Sequence, residues 1–321
     1  MALRLAIVMI GFCFSACLSR PQRDLIKYID LACDSLEYYS IHRDLNVDSV
    51  KENIVLQLTD TSTIRHVHSI LNSVVRSIDP HGFLLGPQEQ RKLVSGEGIV
   101  PEPFPFRGKL IEQQYAYLDI RGFSGVDSIS ADQYTDSLQR VLISLYQGNP
   151  KGWIIDLRSN TGGNPYAMIA GLGPLLAEGN LAYSMNAKGE KEHYFYMREN
   201  PQSAKKEHLL LADSAFLFDE KLPIAALIGP ETASAAEILT IIFKGMPNAL
   251  IIGQPTYGVS TGLHPVYLPD SACLYITNSV DHDRFDRAYG KSVEPDIMEK
   301  DALKIFEHAY GHIDDFGGKS E

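Results

Sequence analysis

The stretch "ALIGPETASAAEIL", Ala226 to Leu239, combines a reactive residue type with a useful position. An apolar, strand-like run ends at Gly229-Pro230, and Ser234 follows among small residues where a helix should begin. Thr232 or Glu231 is placed to cap that helix, which would put Ser234 in its first turn. Backbone N–H groups are unpaired there and the helix dipole favours negative charge. A serine nucleophile so placed would find an oxyanion site in the neighbouring amides. Ala233, Ala235 and Ala236 would let a substrate backbone approach. Taken alone, small residues at a helix start more often serve packing. A second stretch, "DLRSNTGG", runs from Asp156 to Gly163 and leaves a buried-strand pattern for a loop with paired glycines. Glycine permits positive φ and lets N–H groups face a ligand. The stretch reads as an oxyanion or peptide-binding loop, or as a tight strand-to-helix turn. No Gly-Lys-Ser/Thr follows, which argues against a phosphate loop.

Other clusters carry less. His66 and His68 stand two apart on a predicted helix, hence on different faces, and make a poor metal pair. "DHDRFDR", Asp281 to Arg287, lacks the Gly and terminal Glu of a calcium loop and reads as a solvated, charge-paired loop. No metal or cofactor is expected. The net charge of −11 offers no positive field for phosphates, so no nucleic-acid partner is expected.

The elements that must position these residues follow from periodicity. Leu25, Ile29, Ala32 and Leu36 keep helical spacing, as do Val50, Ile54 and Leu58. Ile64, Val67, Leu71, Val74 and Ile78 mark a third helix, which Ser62 or Thr63 could cap. Residues 18–80 therefore read as a small helical cap domain. Residues 81–114 read as an irregular connector or active-site loop, because Pro80, Gly82, Gly86, Pro87 and the Pro101–Pro105 cluster break regular structure. From its place in the chain, segment 96–106 is expected to cover the groove. From Tyr115 to the end of the chain, strand runs ("YAYLDIRGF", "GWIIDLRS", "PIAALIG", "ALIIGQ", "ACLYITNSV") alternate with helical patterns, and a hairpin is read around Ala187-Lys188-Gly189. That alternation predicts an α/β core over 115–321.

The first residues differ. Arg4, the apolar run Leu5–Phe14 and the small residues before Cys17 suit a signal peptide, the run being too short to span a bilayer comfortably. "FSAC" resembles a bacterial lipobox, implying cleavage after residue 16, lipid on Cys17 and a membrane-anchored protein of the bacterial envelope. An ordinary signal peptide or an uncleaved anchor is the alternative. Cys13 would leave with the signal. An oxidising envelope would permit a Cys33–Cys273 disulfide, but burial as small apolar side chains is the simpler reading.

"GWIIDLRSNTGGNP", "GPETASAAEIL", "IIGQPTYGVSTG" and "GKSVEPDI" occur in the order found in the C-terminal processing, or tail-specific, serine peptidases. The resemblance covers about Tyr115 to Ile297 and implies a Clp-protease/crotonase-like core that hydrolyses peptide bonds. It maps the nucleophile onto Ser234 and the oxyanion donors onto Gly162 or Gly163 and the amide of Ala235. Two departures matter. The lysine of the family's Ser–Lys dyad falls on Val259 in "TYGVS", and no room exists for a PDZ domain of usual size between His81 and Tyr115. The chain is in these respects similar to the branch holding the tricorn protease core and the nisin resistance protein, which uses an upstream histidine. "SIDPHGF" resembles that histidine segment and makes His81 the expected general base; by itself His81 is one of ten histidines. An unperturbed imidazole titrates near neutrality, which suits the role. For the acid that orients it, Glu294 in "VEPDI" and Glu237, three residues beyond Ser234, compete. The expected partner is a peptide or unfolded protein. The expected activity is that of an envelope serine endopeptidase or processing peptidase, with resistance to peptide antibiotics as a narrower form. The alternative from another class is a non-catalytic peptide- or ligand-binding relative, motivated by the missing lysine.

Overall fold

A computed structural model describes residues 20–95, 104, 106–196 and 221–317. In chain order the first elements are α1 (Arg20–Tyr39), α2 (Val47–Leu56), α3 (Ile64–Ile78), β1 (Phe83–Leu85), α4 (Pro87–Ser95), β2 (Arg107–Ile111), β3 (Tyr115–Asp119), α5 (Ser128–Tyr146) and β4 (Gly152–Asp156). There follow α6 (Pro165–Leu172), β5 (Gly179–Asn186), β6 (Lys191–Tyr196), β7 (Ile224–Ile228), α7 (Ala235–Lys244), β8 (Ala249–Gly253), β9 (Thr261–Tyr267), β10 (Cys273–Asp283), β11 (Ile297–Met298) and α8 (Ala302–Gly317). Cys17 with the rest of the signal segment, and most of the Pro-rich stretch 96–106, lie outside the described residues. Among the described residues no helix is long and apolar enough to cross a membrane.

The chain forms two compact units, one of Met1–Gln90 with Leu263–Asn278, the other of Arg91–Gly262 with Ser279–Glu321. In the first unit, Ile29, Ala32, Cys33 and Leu36 of α1, Ile54 of α2 and Val67, Leu71 and Val75 of α3 pack with Leu274 and Ile276. The helical spacing read from the sequence selects most of these side chains. Thr63 is the N-cap residue of α3, and its N–H donates to the His66 ring. Cys33 and Cys273 are both free and buried. The connector is more regular than its prolines and glycines suggest. Phe83–Leu85 pairs antiparallel with Cys273–Tyr275, and Pro87 opens α4, where a missing N–H costs nothing.

In the second unit six strands form one sheet in the order β11-β8-β7-β4-β3-β2. Every neighbouring pair is parallel except β2 with β3. The parallel strands β3, β4, β7, β8 and β11 therefore lie side by side in chain order. Their side chains alternate between two cores. Trp153, Ile155, Ile224, Ala226, Ile228 and Ile251 join the core of α5, α6 and α7. Ile154, Ala225, Leu227 and Ile252 join Ile305, Ala309 and Ile313 of α8. Burial on both faces explains why these strands read as unbroken apolar runs. β5 and β6 form the hairpin read around Lys188, and β5 pairs with the Ser279–Asp283 part of β10. The Asp281–Arg287 run is not a solvated loop throughout: Asp281, His282 and Asp283 are buried. The strand pairing with β5 carries the first three charged or polar residues of that run inward.

Candidate active site

Parallel strands in one layer bring the turns that follow them to a single sheet edge. Ser234 lies in the turn after β7, and the Gly162-Gly163 loop lies after the neighbouring β4. Ser234 is itself the N-cap residue of α7, with φ 53° and ψ −117°. The sequence placed it inside the first turn, with Thr232 or Glu231 as the cap. Thr232 is engaged elsewhere: its hydroxyl donates to the Leu157 carbonyl (2.9 Å) and accepts from Gly229 N–H (3.0 Å). This ties the turn to the end of β4 and shifts the helix start to Ala235. The Ser234 backbone occupies a region where glycine is at home and other residues are strained by about 1–3 kcal/mol. A nucleophile on a strained strand-to-helix turn recurs in unrelated hydrolases, where the turn lifts the hydroxyl clear of the backbone.

The surroundings hold that conformation. The Ser234 N–H donates to Glu237 Oε2 (2.9 Å), its carbonyl accepts Glu237 and Ile238 N–H, and Ala233 N–H donates to the Asn160 carbonyl. Gly162 and Gly163 have φ of 97° and 128°. A Cβ on Gly162 would stand 2.7 Å from the Ala233 carbonyl oxygen, 2.8 Å from Ser234 Cβ and 3.2 Å from Ala235 N. The glycine loop is thus seated directly against the serine turn. On Gly163 a Cβ would reach 1.9 Å from the Phe123 carbonyl oxygen. The two glycines differ as donors. Gly162 N–H is taken by the side chain of buried Asn160 (2.9 Å), whereas the N–H groups of Gly163 and Ala235 donate no bond among the described residues. Asn160 escaped the sequence reading, although an Asn two residues before a glycine is a known turn former.

Glu237 has no exposed surface. Its Oε2 accepts Ser234 and Val259 N–H (both 2.9 Å), and its Oε1 accepts the Thr256 hydroxyl (2.5 Å) and Gly258 N–H (3.0 Å). Burial raises its pKa above the usual carboxylate value, and the four donors oppose that rise. Four donors fill the four lone-pair sites of a carboxylate, leaving none for an imidazole. Val259, at the family's lysine position, is buried and meets Glu237 through its N–H. Thr256 extends the network, because its hydroxyl accepts Val293 N–H (2.7 Å) and its own N–H donates to the Val293 carbonyl. The exposed Glu294 follows directly.

His81 belongs to the other unit, where it is half-buried. Its N–H donates to Asp79 Oδ1 (2.7 Å), and Asp79 Oδ2 meets His42 Nε2 (2.5 Å). Burial pushes the His81 imidazole down to about 4, against a smaller upward pull from Asp79, so it does not titrate near neutrality as an exposed histidine would. Among the described residues no group of three His, Cys, Asp or Glu side chains is placed to hold a metal ion.

Residues 114–298 match the model of peptidase family S41, and the chain belongs to that family of serine peptidases. It is 27% identical to the nisin-resistance protein of Lactococcus lactis over 299 residues, covering 91% of this chain and 88% of that protein. It is 26% identical over 203 residues to the carboxyl-terminal-processing protease of Synechocystis, covering 60% of this chain but only 43% of that longer protein. Among solved structures, a lipoprotein from Streptococcus agalactiae superposes with a TM-score of 0.72 at 23% identity, covering 91% of this chain and 96% of that one. The photosystem II D1 C-terminal processing protease superposes at 0.58 and 14% identity, covering 91% and 97%. These likenesses carry the α/β core with its helical N-terminal region.

Proposed function

We propose that the chain cleaves exported or envelope peptides with Ser234 as nucleophile and His81 as general base. The observation that carries this is the strained Ser234 turn seated against Gly162, with the N–H groups of Gly163 and Ala235 left to donate. His81 takes the Ser234 proton as Oγ bonds to the peptide carbonyl carbon. The resulting oxyanion is held by Gly163 and Ala235 N–H. Collapse expels the amine, which takes the proton from His81, and water then releases the acyl group by the same steps. Glu294 is assigned to orient His81. Glu237 positions the Ser234 turn through its four acceptor bonds. Lipid on Cys17 would hold the enzyme at the bacterial envelope, and the likeness to a nisin-resistance protein extends the substrate class to peptide antibiotics.

Hydrolysis of unstructured peptides and of nisin is to be followed for wild type, Ser234→Ala and His81→Ala. Each variant should lose at least roughly a thousandfold in kcat/KM. With His81 lowered to about 4, the acid limb of the wild-type kcat/KM profile should fall near that pH, with the base already neutral at pH 7. Activity surviving both substitutions would sink the assignment. Binding without cleavage by wild type would mark the chain as a non-catalytic relative.

A further inference from the structure

A second polar site lies on the same sheet edge as Ser234. A cavity of about 410 Å³ is lined by Arg107, Tyr117, Asp119, Arg121, Asp156 and Arg158, among others. Asp119 and Asp156 end the adjacent parallel strands β3 and β4 and face each other in register. The cavity therefore sits at the carboxyl ends of the strands, where open α/β sheets receive ligands.

Its charges are unequal. Each aspartate is engaged by the arginine two residues on. Arg121 donates through two nitrogens to Asp119 Oδ2 (3.2 and 2.9 Å). Arg158 forks onto Asp156 (2.9 and 2.6 Å), which also accepts the Tyr117 hydroxyl (2.8 Å). Arg107 is exposed and has no carboxylate partner among the described residues. Three guanidiniums against two carboxylates leave one positive charge. Arg121 and Arg158 use two side-chain N–H groups each on their aspartates, and a guanidinium carries five. Planar donor forks with a single surplus charge match a carboxylate, whereas a phosphate dianion would overcompensate.

The cavity is also close to the serine turn. The stem of Arg158 lies 3.7 Å from where a Cβ on Gly229 would stand, and Gly229 opens the turn that ends in Ser234. Neighbouring strands are about 4.8 Å apart and an extended peptide advances about 3.3 Å per residue. A step of one strand spacing along the edge thus takes about one and a half residues.

We propose that this cavity binds a carboxylate carried by the peptide substrate a few residues from the bond that Ser234 attacks, an extension that rests on the peptidase assignment above. The carboxylate is either the free chain end or a Glu or Asp side chain, and one series of peptides separates the two. Fluorescence anisotropy on Ser234→Ala protein compares a labelled, randomised peptide pool bearing a free C-terminal carboxylate with the same pool amidated. An amidated pool with Glu at a fixed position is compared with its Gln counterpart. One carboxylate form should bind about tenfold tighter than its neutral partner, as a charge-assisted hydrogen bond implies. That gap should close in Ser234→Ala/Arg107→Gln, reopen partly in the Arg107→Lys version, and shrink with added salt. Thermal melts of the variants check that the edge strand is intact. Equal binding of acid and amide together with equal binding of Glu and Gln pools overturns the proposal, as does absence of measurable binding or a gap that persists without Arg107. Because binding is read on a protein that cannot acylate, wild type that hydrolyses nothing yet shows the charge-dependent gap refutes the peptidase assignment alone.

Discussion

Glu237 and Asp281 are two buried carboxyl groups of the same unit held in opposite ways. Glu237 receives four donors and binds the Ser234 turn to the Thr256–Val259 loop. Among the described residues Asp281 receives one, the Ser184 hydroxyl at 2.5 Å, while its Oδ2 is buried with no partner. Around Asp281 stand Ser184 and Tyr194, which share a hydrogen bond of 3.2 Å, and Tyr166, which is bonded to Glu192. Burial first, then the negative charges of Glu237 and Glu192, push Asp281 from 3.8 up to about 7, while the Ser184 bond pulls the other way. Four donors oppose the rise that burial gives Glu237 and make its carboxyl group a clamp on the backbone. Asp281, with one donor, is pushed toward its protonated form. The pair teaches that burial alone does not say what an acid does; the donor count does.

Glu237→Gln should give the largest effect. An amide keeps one acceptor oxygen and turns an NH₂ toward donors, leaving buried N–H groups unpaired at a cost of about 3 kcal/mol. Chemical denaturation should show that loss, and kcat should fall more than KM rises, because the Ser234 turn relaxes. If stability and kcat both hold, Glu237 does not position the turn. Asp281→Asn should rival it near neutrality, with opposite sign, and shrink toward pH 4. The folded-state value of about 7 lies above 3.8, so the folded protein holds a proton that the unfolded chain has lost between those values. This contribution is fully present below about pH 4 and fades as pH rises to 7, at most about 1.4 kcal/mol per pH unit. Asn removes the titration, so melts across pH 4 to 8 should show the variant's advantage over wild type widening up to neutrality. A constant difference would mean that Asp281 ionises normally. Ser234→Gly should be smallest: relief of the positive-φ strain should raise stability by about 1 kcal/mol, or about 2 °C in Tm, while abolishing turnover. A stability loss would show that the serine side chain, not its backbone, is what the turn requires.

Much of the site could be read from residue order. The apolar runs located β4, β7 and β8, and the glycine pair after one run with the serine after another marked the two turns that meet. Local reading failed where a distant partner decided the outcome. Thr232 looked like a helix cap but is bonded to Leu157 in the preceding strand turn. Asp281 looked like the start of a charged loop but is carried inward by pairing with β5. Leu263–Asn278 read as part of the core, yet it groups with the N-terminal helices, because β1 finds its partner in Cys273–Tyr275.

The sequence by itself determined the family, the alternation of strand and helix, and the positions of Ser234, Gly162 and Gly163. Those features depend on residue type and on spacing along the chain. Only the tertiary structure decided which amides of the two turns donate no bond among the described residues, that Glu237 is filled by four donors, and that three arginines share one cavity with two aspartates. These are matters of which polar groups meet across the sheet edge, and separation along the chain does not encode them.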